Sequence, residues 1–349
     1  MGSSGTAASR RRQALCDTLQ KIVTLAEQGK ADAVLCGGDL YEHDRVSPDT
    51  ASFLKSAFAR LNPTPVYIAP GNHDWYGPQS LYAHVDWSPN VHVFRSDRLV
   101  PVEIDDGVTL WGAAHLAPAN TDNFLQGFQV DRGGVNIALF HGSERTWFTA
   151  EASGKAPHAQ FEAEEIKDAG LHHAFLGHYH TPRDAPTYTY PGNPDPLSFG
   201  ETGERGPVVA TLKPDGTIDR DRVNVASTEA HDLGIDVTGC SSLQAVRDRL
   251  SKGLRGLRGV ARVRLKGELG TEISVQPAAL SVESSLDAVV IEPVELRIAY
   301  DLDKLAEEQT VRGEFVRMVR AERLPQEETH RILLTGLKAL DARDDLEIV

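Results

Sequence analysis

Two kinds of hydrophobic pattern alternate near the start of the chain. Between Arg11 and Gly29, apolar residues recur at a spacing of about 3.6, which predicts an amphipathic helix. The next apolar run, ADAVLCGG, is short and closed by glycines, which is typical of a buried strand. The same order then repeats, with a helical period from Thr50 to Leu61 and a second buried run, PVYIAPGN. This alternation predicts an α/β layered fold.

Further apolar runs predict more strands. They are VHVF (91–94), VTLWGAA (108–114), VNIALFHG (135–142) and HAFLGHYH (173–180). The segments TYTYPGNPDPLSFG and GPVVATLKPDG surround glycine and proline turns, so we predict the strands of a closing hairpin there.

The pattern divides the chain into three parts. The α/β alternation covers residues 1–226, and we predict one domain there. Residues 227–300 contain the apolar runs DLGIDVTG and GVARVRLKGEL on either side of an amphipathic helix, which predicts a small α/β capping domain. Residues 301–349 are charged and helical in period, with apolar stripes that include Phe315, Met318 and Leu333.

Composition places the chain among ordinary globular proteins. It has 349 residues, of which 40% are hydrophobic and 25% charged. No apolar run approaches the roughly 20 residues of a membrane span, and no apolar segment follows the first methionine as in a signal peptide. The three cysteines, Cys16, Cys36 and Cys240, are far apart, which favours buried thiols in the reduced cytoplasm.

The net charge of −14 argues against binding to nucleic acid through a basic surface alone. It does not exclude a nuclease, because metal ions supply local positive charge and a basic partner can hold the polymer.

Acids, amides and imidazoles follow the predicted strands in order. Asp39, Asn72-His73-Asp74, His141 and His178-x-His180 each lie just past an apolar run, beside a glycine. Strand ends of an α/β sheet meet at one edge, so we expect these side chains to lie together. Each piece alone is a weak signal, but the full ordered set is not expected by chance.

These residues supply nitrogen and oxygen ligands without thiolate. That set suits Mn²⁺, Fe or Zn²⁺ in open sites and disfavours a structural zinc. Two ions about 4 Å apart activate a water for in-line attack on phosphorus. Asp39 is the natural bridging ligand, and His73 is the natural acid for the leaving group.

The series resembles the calcineurin-like metallophosphoesterases, whose fold is a four-layer α/β/β/α sandwich. Within them, the segments GGDLYEHDRVSP, PGNHDWYG, LFHGSE, LGHYHTPR and YPGNPDPLSF are similar to the SbcD-type nucleases of double-strand-break repair. The resemblance implies that Asp39 bridges two metals, that Asn72, His141 and His178 complete one site, and that His180 joins the other. It also implies that His73 is the catalytic histidine and that Asp74 orients its ring.

One motif of that family is absent upstream of Asp39. The family opens with a strand ending in Asp-x-His, and this chain has none there. We expect a truncated reading frame in which Met1 is internal, with natural loss as the alternative and low stability for a chain without that strand. His43, His84, His92 and His115 are the only substitute ligands in view.

Four residues are candidates for substrate contact. His43 lies four residues past Asp39 and is expected to meet a phosphate. Trp75 and Tyr76 either stack on a base or pack the loop. Arg183 either donates to phosphate or forms a surface salt bridge.

The favoured function is Mn²⁺-dependent hydrolysis of DNA, as the exonuclease or endonuclease subunit of an SbcCD-like repair complex. By resemblance, the C-terminal helices dock on an SbcC-like ATPase, although packing on their own domain is an equal alternative; a homodimer is the other assembly considered. Two other functions stay open: a phosphodiesterase or phosphatase for small substrates, and a binding subunit of weak activity because the first metal motif is missing.

Overall fold

The structure is a computed structural model that describes residues 5–147, 157–271, 273, 275, 280, 282, 284–292 and 296–341. The chain separates into two compact units. The first contains residues 1–197 and 203–227, and the second contains residues 198–202 and 228–349. Among the helices of the described ranges, none has both the length and the apolar character needed to cross a lipid bilayer.

The first unit contains four described helices and two main sheets. The helices are α1 (Gly5–Gly29), α2 (Pro48–Ala59), α3 (Leu81–His84) and α4 (Ala163–Asp168). The strands are β1 (Val34–Cys36), β2 (Val66–Ile68), β3 (Val91–Val93), β4 (Val100–Asp105), β5 (Val108–Gly112), β6 (Val135–His141), β7 (His173–Gly177), β8 (Arg183–Asp184), β9 (Tyr188–Tyr190), β10 (Val208–Leu212) and β11 (Ile218–Arg222).

Most pairings in the two sheets are parallel. Strands β1, β2 and β3 form a parallel three-stranded sheet in that order. The second sheet has the order β4-β5-β6-β7-β9-β8, and its central pairs, β5 to β9, are parallel. The outer strands β4 and β8 pair antiparallel. Parallel strands end at the same edge, so the polar segments that follow β1, β2, β6 and β7 leave the sheets on one side.

Alternating side chains of the strands divide the core into layers. In β6, Ile137 and Leu139 pack against Tyr67 of β2, which fills the space between the two sheets. The alternate residues Ala138 and Phe140 pack on the opposite face with Ile166 of α4. This two-residue period is what a strand buried on both faces requires.

The outer face of the small sheet is covered by helices. Val66 and Ile68 of β2 pack with Val23 of α1 and with Leu54 and Phe58 of α2. The first unit therefore has helix, sheet, sheet and helix layers, and the α/β fold expected from the sequence is confirmed. The hairpin differs in detail: β10 pairs with β11, whereas β9 pairs with β7 and β8.

The second unit contains a parallel sheet and three terminal helices. Its elements are β12 (Ala230–Asp236), α5 (Leu243–Leu254), β13 (Val260–Leu269), β14 (Ala288–Glu292), β15 (Leu296–Ile298), α6 (Leu302–Glu307), α7 (Val311–Ala321) and α8 (Gln326–Leu340). β13 pairs with β12, β14 and β15. The side chain of Ser242 caps α5, and Val246 and Leu250 of this helix pack against Val263.

The apolar stripes of the last helices are used in part for their own packing. Val319 of α7 and Leu333 and Leu337 of α8 are buried in one cluster. Met318 and Leu340 of the same stripes are exposed.

Candidate metal centre

Asp39 lies at a tight turn directly after β1. The backbone is left-handed at Gly38, with φ of 92°, and at Asp39, with φ of 57°. Oδ1 of Asp39 accepts a hydrogen bond from the main-chain N–H of His73 at 3.0 Å, and Oδ2 lies 3.3 Å from Nε2 of His141. The turn thus brings the carboxylate to the ends of β2 and β6.

His141, the last residue of β6, is buried with a defined tautomer. Its Nδ1 lies 2.7 Å from the carbonyl oxygen of Gly37, which only accepts, so Nδ1 must donate. The pKa of His141 is held well below its usual range, mainly by burial and secondly by the imidazole of His115. The ring is therefore neutral, and Nε2 carries a lone pair.

Three electron-pair donors converge at this nitrogen. Nε2 of His141 lies 3.0 Å from the amide oxygen of Asn72 and 3.3 Å from Oδ2 of Asp39. Three such atoms repel one another unless a cation or a proton donor lies between them. A carboxylate, an amide oxygen and an imidazole are ligands of divalent transition metals, so these residues fit a divalent ion.

The space around these ligands is crowded, which explains one of the glycines. A Cβ at position 71 would overlap the Asp39 carboxylate and would lie 2.7 Å from Nδ1 of His141. Gly71 therefore permits the close approach of β1 and β6 at this edge.

The converging set does not contain three side chains of the most common metal-binding types. Within the described ranges, no group of three or more His, Cys, Asp or Glu side chains is placed to hold one metal ion. The converging set contains two of these residues, Asp39 and His141, together with the amide of Asn72.

His178 lies beside His141 in a cluster of four imidazoles. Ring centroids are 5.2 Å apart for His141 and His178, 5.4 Å for His178 and His158, 6.0 Å for His158 and His115, and 5.4 Å for His115 and His141. The structure therefore places His178 next to the converging set. Residue 180 follows two positions later, and the contact of its ring with a metal remains a prediction.

The two remaining imidazoles differ in their hydrogen bonds. The ring of His115 contacts the carbonyl of His141 at 2.8 Å and Oγ1 of Thr121 at 2.7 Å, and burial lowers its pKa to about 4. Nδ1 of His158 is buried without a hydrogen-bond partner, and burial lowers the pKa of this residue as well. Both ring nitrogens of His115 have hydrogen-bond partners, so His115 is a buried packing residue. Nδ1 of His158 has no such partner.

Asp74 does not have the role expected of it. Its buried carboxylate accepts hydrogen bonds from the main-chain N–H groups of Asp39, Leu40 and Gly71 and from the hydroxyl of Tyr82. The pKa of Asp74 is raised to about 6, mainly by burial and secondly by the charge of Asp39. Asp74 therefore joins the turn after β1 to the end of β2, and no hydrogen bond from it to the His73 ring is present in the described part of the chain.

The partner of the His73 ring is Glu42. Nδ1 of His73 lies 3.0 Å from Oε2 of Glu42, and both side chains are exposed at the mouth of the site. The expectation that Asp74 orients this ring is corrected, because the carboxylate that meets Nδ1 comes from the loop after β1.

The match to a known family agrees with this geometry. The model of the calcineurin-like phosphoesterases matches residues 10–182, which include the ends of β1, β2, β6 and β7. The chain carries a calcineurin-like phosphoesterase domain. Proteins of this family are phosphoesterases that use divalent metal ions.

Two curated relatives extend the similarity beyond the phosphoesterase domain. The chain is 25% identical over 266 residues to the uncharacterized metallophosphoesterase YhaO of Bacillus subtilis, an alignment covering 70% of this chain and 62% of that protein. It is 26% identical over 283 residues to the DNA double-strand break repair protein Mre11 of Haloferax volcanii, covering 77% of this chain and 60% of that protein. The chain thus spans about three fifths of each relative's length.

Three of the four candidate substrate residues lie in the loops that follow β1 and β2. The ring of His43 stacks on Trp75, with centroids 3.9 Å apart and planes 17° apart. Nδ1 of His43 is buried without a partner. The main-chain N–H of Tyr76 donates to the carbonyl of His115. One face of Trp75 is thus covered by His43, and stacking of a base on the other face stays a prediction.

Arg183 is packed among aromatic rings. Its guanidinium carbon lies 4.7 Å from the ring centroid of Trp147 and 5.8 Å from that of Tyr188. The aromatic faces stabilise the cation at this place. In the described part of the chain Arg183 contacts these two rings, and its donation to a phosphate stays a prediction.

Two residues of the phosphoesterase domain were not identified from the sequence. Glu42 lies three positions after Asp39 in the segment already quoted, so its spacing was an available signal. His158 lies between two strands and belongs to no motif, so only the folded chain brings it to His178.

Proposed function

We propose that this chain hydrolyses phosphodiesters with two divalent metal ions, Mn²⁺ being the favoured metal, and that its substrate is DNA. One observation carries the proposal: the Asp39 carboxylate and the Asn72 amide oxygen both lie close to Nε2 of His141, and all three atoms have lone pairs for a metal ion. The matched family supports the reaction class.

In this proposal Asp39, Asn72, His141 and His178 would hold one ion, and Asp39 and His180 would hold the other. Bound divalent ions would activate a water and stabilise the charge that develops on the phosphoryl oxygens. The buried Asp74 keeps the Asp39 turn in place through three main-chain N–H groups.

His73 moves a proton in this reaction. Because Nδ1 faces the carboxylate of Glu42, the ring is oriented with Nε2 directed away from that carboxylate. Nε2 is then the atom that gives a proton to the leaving oxygen of the substrate. Glu42 fixes the tautomer and the orientation of the ring, as carboxylate partners of histidines do.

DNA as the substrate rests on the SbcD-like segments and on the similarity to a relative named as a DNA double-strand break repair protein. With a net charge of −14, the chain requires metal ions or a basic partner to hold a polyanion. We propose an SbcC-like ATPase as that partner. The exposed Met318 and Leu340 on α7 and α8 supply apolar contacts for such docking.

A small phosphodiester or phosphate monoester is the second candidate substrate. The acidic balance of the chain favours it, because a small substrate needs no basic surface outside the metal centre.

The test is a hydrolysis assay with Mn²⁺ on bis(p-nitrophenyl) phosphate and on linear duplex DNA. We expect both to be cleaved by the wild type, cleavage to stop with a chelator, and His73→Ala and Asp39→Ala to lose activity by at least about 100-fold. Glu164→Ala, an exposed residue of α4, is the control. Cleavage of the small diester alone selects the second candidate, and activity that survives both active-site changes refutes the mechanism.

A further inference from the structure

Arg205 is the largest fully buried side chain of the described residues. It is 1% exposed and lies in the loop before β10. Arginine is almost never fully buried unless its guanidinium is bound by several acceptors. The contacts of its guanidinium therefore indicate the structural role of Arg205.

The guanidinium reaches the segment that carries two of the proposed metal ligands. Nη1 of Arg205 donates to the carbonyl oxygen of His180 at 2.7 Å and, at 3.5 Å, to that of Asn193. The main-chain N–H of Asn193 donates to the same His180 carbonyl at 3.0 Å. Two donors from a different part of the chain thus hold this one oxygen.

The segment they hold has an unfavourable backbone. His178 has φ of 106°, a conformation that residues with a side chain rarely adopt. Such conformations persist only where surrounding contacts fix the chain on both sides. On one side His178 follows β7, which is paired with β6 as far as Gly177. On the other side, the hydroxyl of Tyr179 donates to the carbonyl of Glu144 at 3.2 Å, and the carbonyl of His180 is held by Arg205 and Asn193.

We propose that Arg205 is a positioning residue for the metal centre. By holding the His180 carbonyl, it fixes the turn from which His178 and His180 present their imidazoles to the divalent ions. This inference rests on the proposed function, because it takes these two histidines as ligands. Arg205 acts on these two histidines through the main-chain carbonyl of His180.

The chain offers a matched control for the arginine. Arg220 on β11 also donates through Nη1 to main-chain carbonyls, at 2.8 Å to that of Ala185 and at 3.4 Å to that of Tyr188. Its contacts brace β9 and the turn before it. Arg220→Met therefore removes the same type of interaction without touching the His178–His180 turn.

The test measures Mn²⁺ affinity by isothermal titration calorimetry and the visible absorption spectrum of the Co²⁺-loaded protein. We expect Arg205→Met to weaken Mn²⁺ binding by about 10- to 100-fold, as loss of a supporting contact does, and to alter the Co²⁺ spectrum. Arg220→Met is expected to keep the wild-type affinity and spectrum. Arg205→Lys, which can donate to one carbonyl, should lie between the wild type and Arg205→Met.

Equal Mn²⁺ affinity of folded Arg205→Met and Arg220→Met overturns the positioning role. If Arg205→Met does not fold, Arg205→Lys is compared with Arg220→Lys, and equal affinities overturn it in the same way. Asp39→Ala separates this failure from that of the proposed function. Unchanged Mn²⁺ binding in Asp39→Ala refutes the metal centre itself, whereas loss of binding there with an unaffected Arg205→Met refutes only the role of Arg205.

Discussion

The ring of His73 is held by a carboxylate from the loop that follows β1. Glu42 supplies it at 3.0 Å, and both groups are exposed. The neighbouring Asp74 is buried and occupied with three main-chain N–H groups and a tyrosine hydroxyl. Two acidic groups thus have separate tasks: Glu42 contacts the ring of His73, and Asp74 holds a turn.

Replacing Glu42 tests the first of these tasks. Glu42→Gln should lower the rate of phosphodiester hydrolysis by about 10- to 100-fold, because the ring of His73 loses the carboxylate that orients it. The midpoint of urea unfolding should stay close to that of the wild type, since the pair is exposed. Asp44→Asn, an exposed change two residues away, is the control. A Glu42→Gln enzyme with the wild-type rate would contradict the role given to Glu42.

Replacing Asp74 tests the second task. Asp74→Ala leaves the N–H groups of Asp39, Leu40 and Gly71 without their acceptor, at a cost of about 1–3 kcal/mol for each group that stays buried. We expect the free energy of unfolding in urea to fall by at least about 2 kcal/mol. A loss as small as that of the exposed Asp44→Ala change would show that the carboxylate does not hold the turn.

The ends of β1, β2, β6 and β7 form the structural basis of the proposed metal centre. Parallel pairing within each sheet puts these ends on one side, and the shared core around Tyr67, Ile137 and Leu139 holds the two sheets together. Polar residues that are distant in the sequence meet there without any insertion. The carboxylate of Asp39 reaches His141 because nothing larger than Gly71 lies between the strand ends.

A methyl group at position 71 should separate these elements. We expect Gly71→Ala to weaken Mn²⁺ binding by at least about 10-fold, because its Cβ would displace the Asp39 carboxylate or the His141 ring from the ligand position. Calorimetric titration measures the change. Gly133→Ala is the control, since a Cβ there meets nothing within 4 Å. Equal Mn²⁺ affinity of the two variants would contradict the crowding described above.

The hydrophobic pattern was sufficient to predict most of these elements. Continuous apolar runs such as VNIALFHG are buried on both faces in β6, so the predicted strand and the observed one agree. The pattern missed β4, which is half-exposed at the edge of the large sheet and includes Pro101. It also missed the two-residue strand β8, which is too short to have a period.

The candidate site could be predicted less completely than the strands. Glycine-flanked polar residues marked the strand ends, and Asp39, Asn72 and His141 do meet. The partner of a ring depends on side-chain directions in a loop, which have no period, and Asp74 was therefore given the place of Glu42. Contacts such as that of Arg205 with His180 depend on the path of distant loops and leave no local signal.

The first unit buries several neutral histidines in its layered core. His115 and His173 are almost fully buried, and desolvation lowers the pKa of each to about 4. His173 contacts Oγ1 of Thr189 through Nε2 at 2.9 Å. Protonation of these rings is therefore easier in the unfolded chain than in the folded one.

Stability should fall as the pH falls from about 6.5 to 4. In that window His115 and His173 bind protons in the unfolded chain but not in the folded one. The free energy of unfolding therefore falls by up to about 3 kcal/mol for each ring. Asp74 has the opposite effect and adds stability as the pH falls from about 6 to 3.8, because its raised pKa makes the folded form bind the proton more tightly. The two histidines outweigh the single acid.

Urea unfolding at several pH values measures this dependence, with His173→Gln as the test variant. Glutamine keeps a hydrogen bond to Thr189 and does not titrate, so the loss between pH 6.5 and 4 should be smaller than in the wild type. His84→Gln, exposed at the end of α3, should leave the dependence unchanged. An identical pH dependence of His173→Gln and the wild type would contradict the assignment.

Anomalous diffraction from crystals of the protein grown with Mn²⁺ tests the metal centre most directly. The predicted result is an anomalous peak at coordination distance from Oδ2 of Asp39, the amide oxygen of Asn72 and Nε2 of His141. A well-ordered site with these three atoms and no anomalous density between them would contradict the central claim.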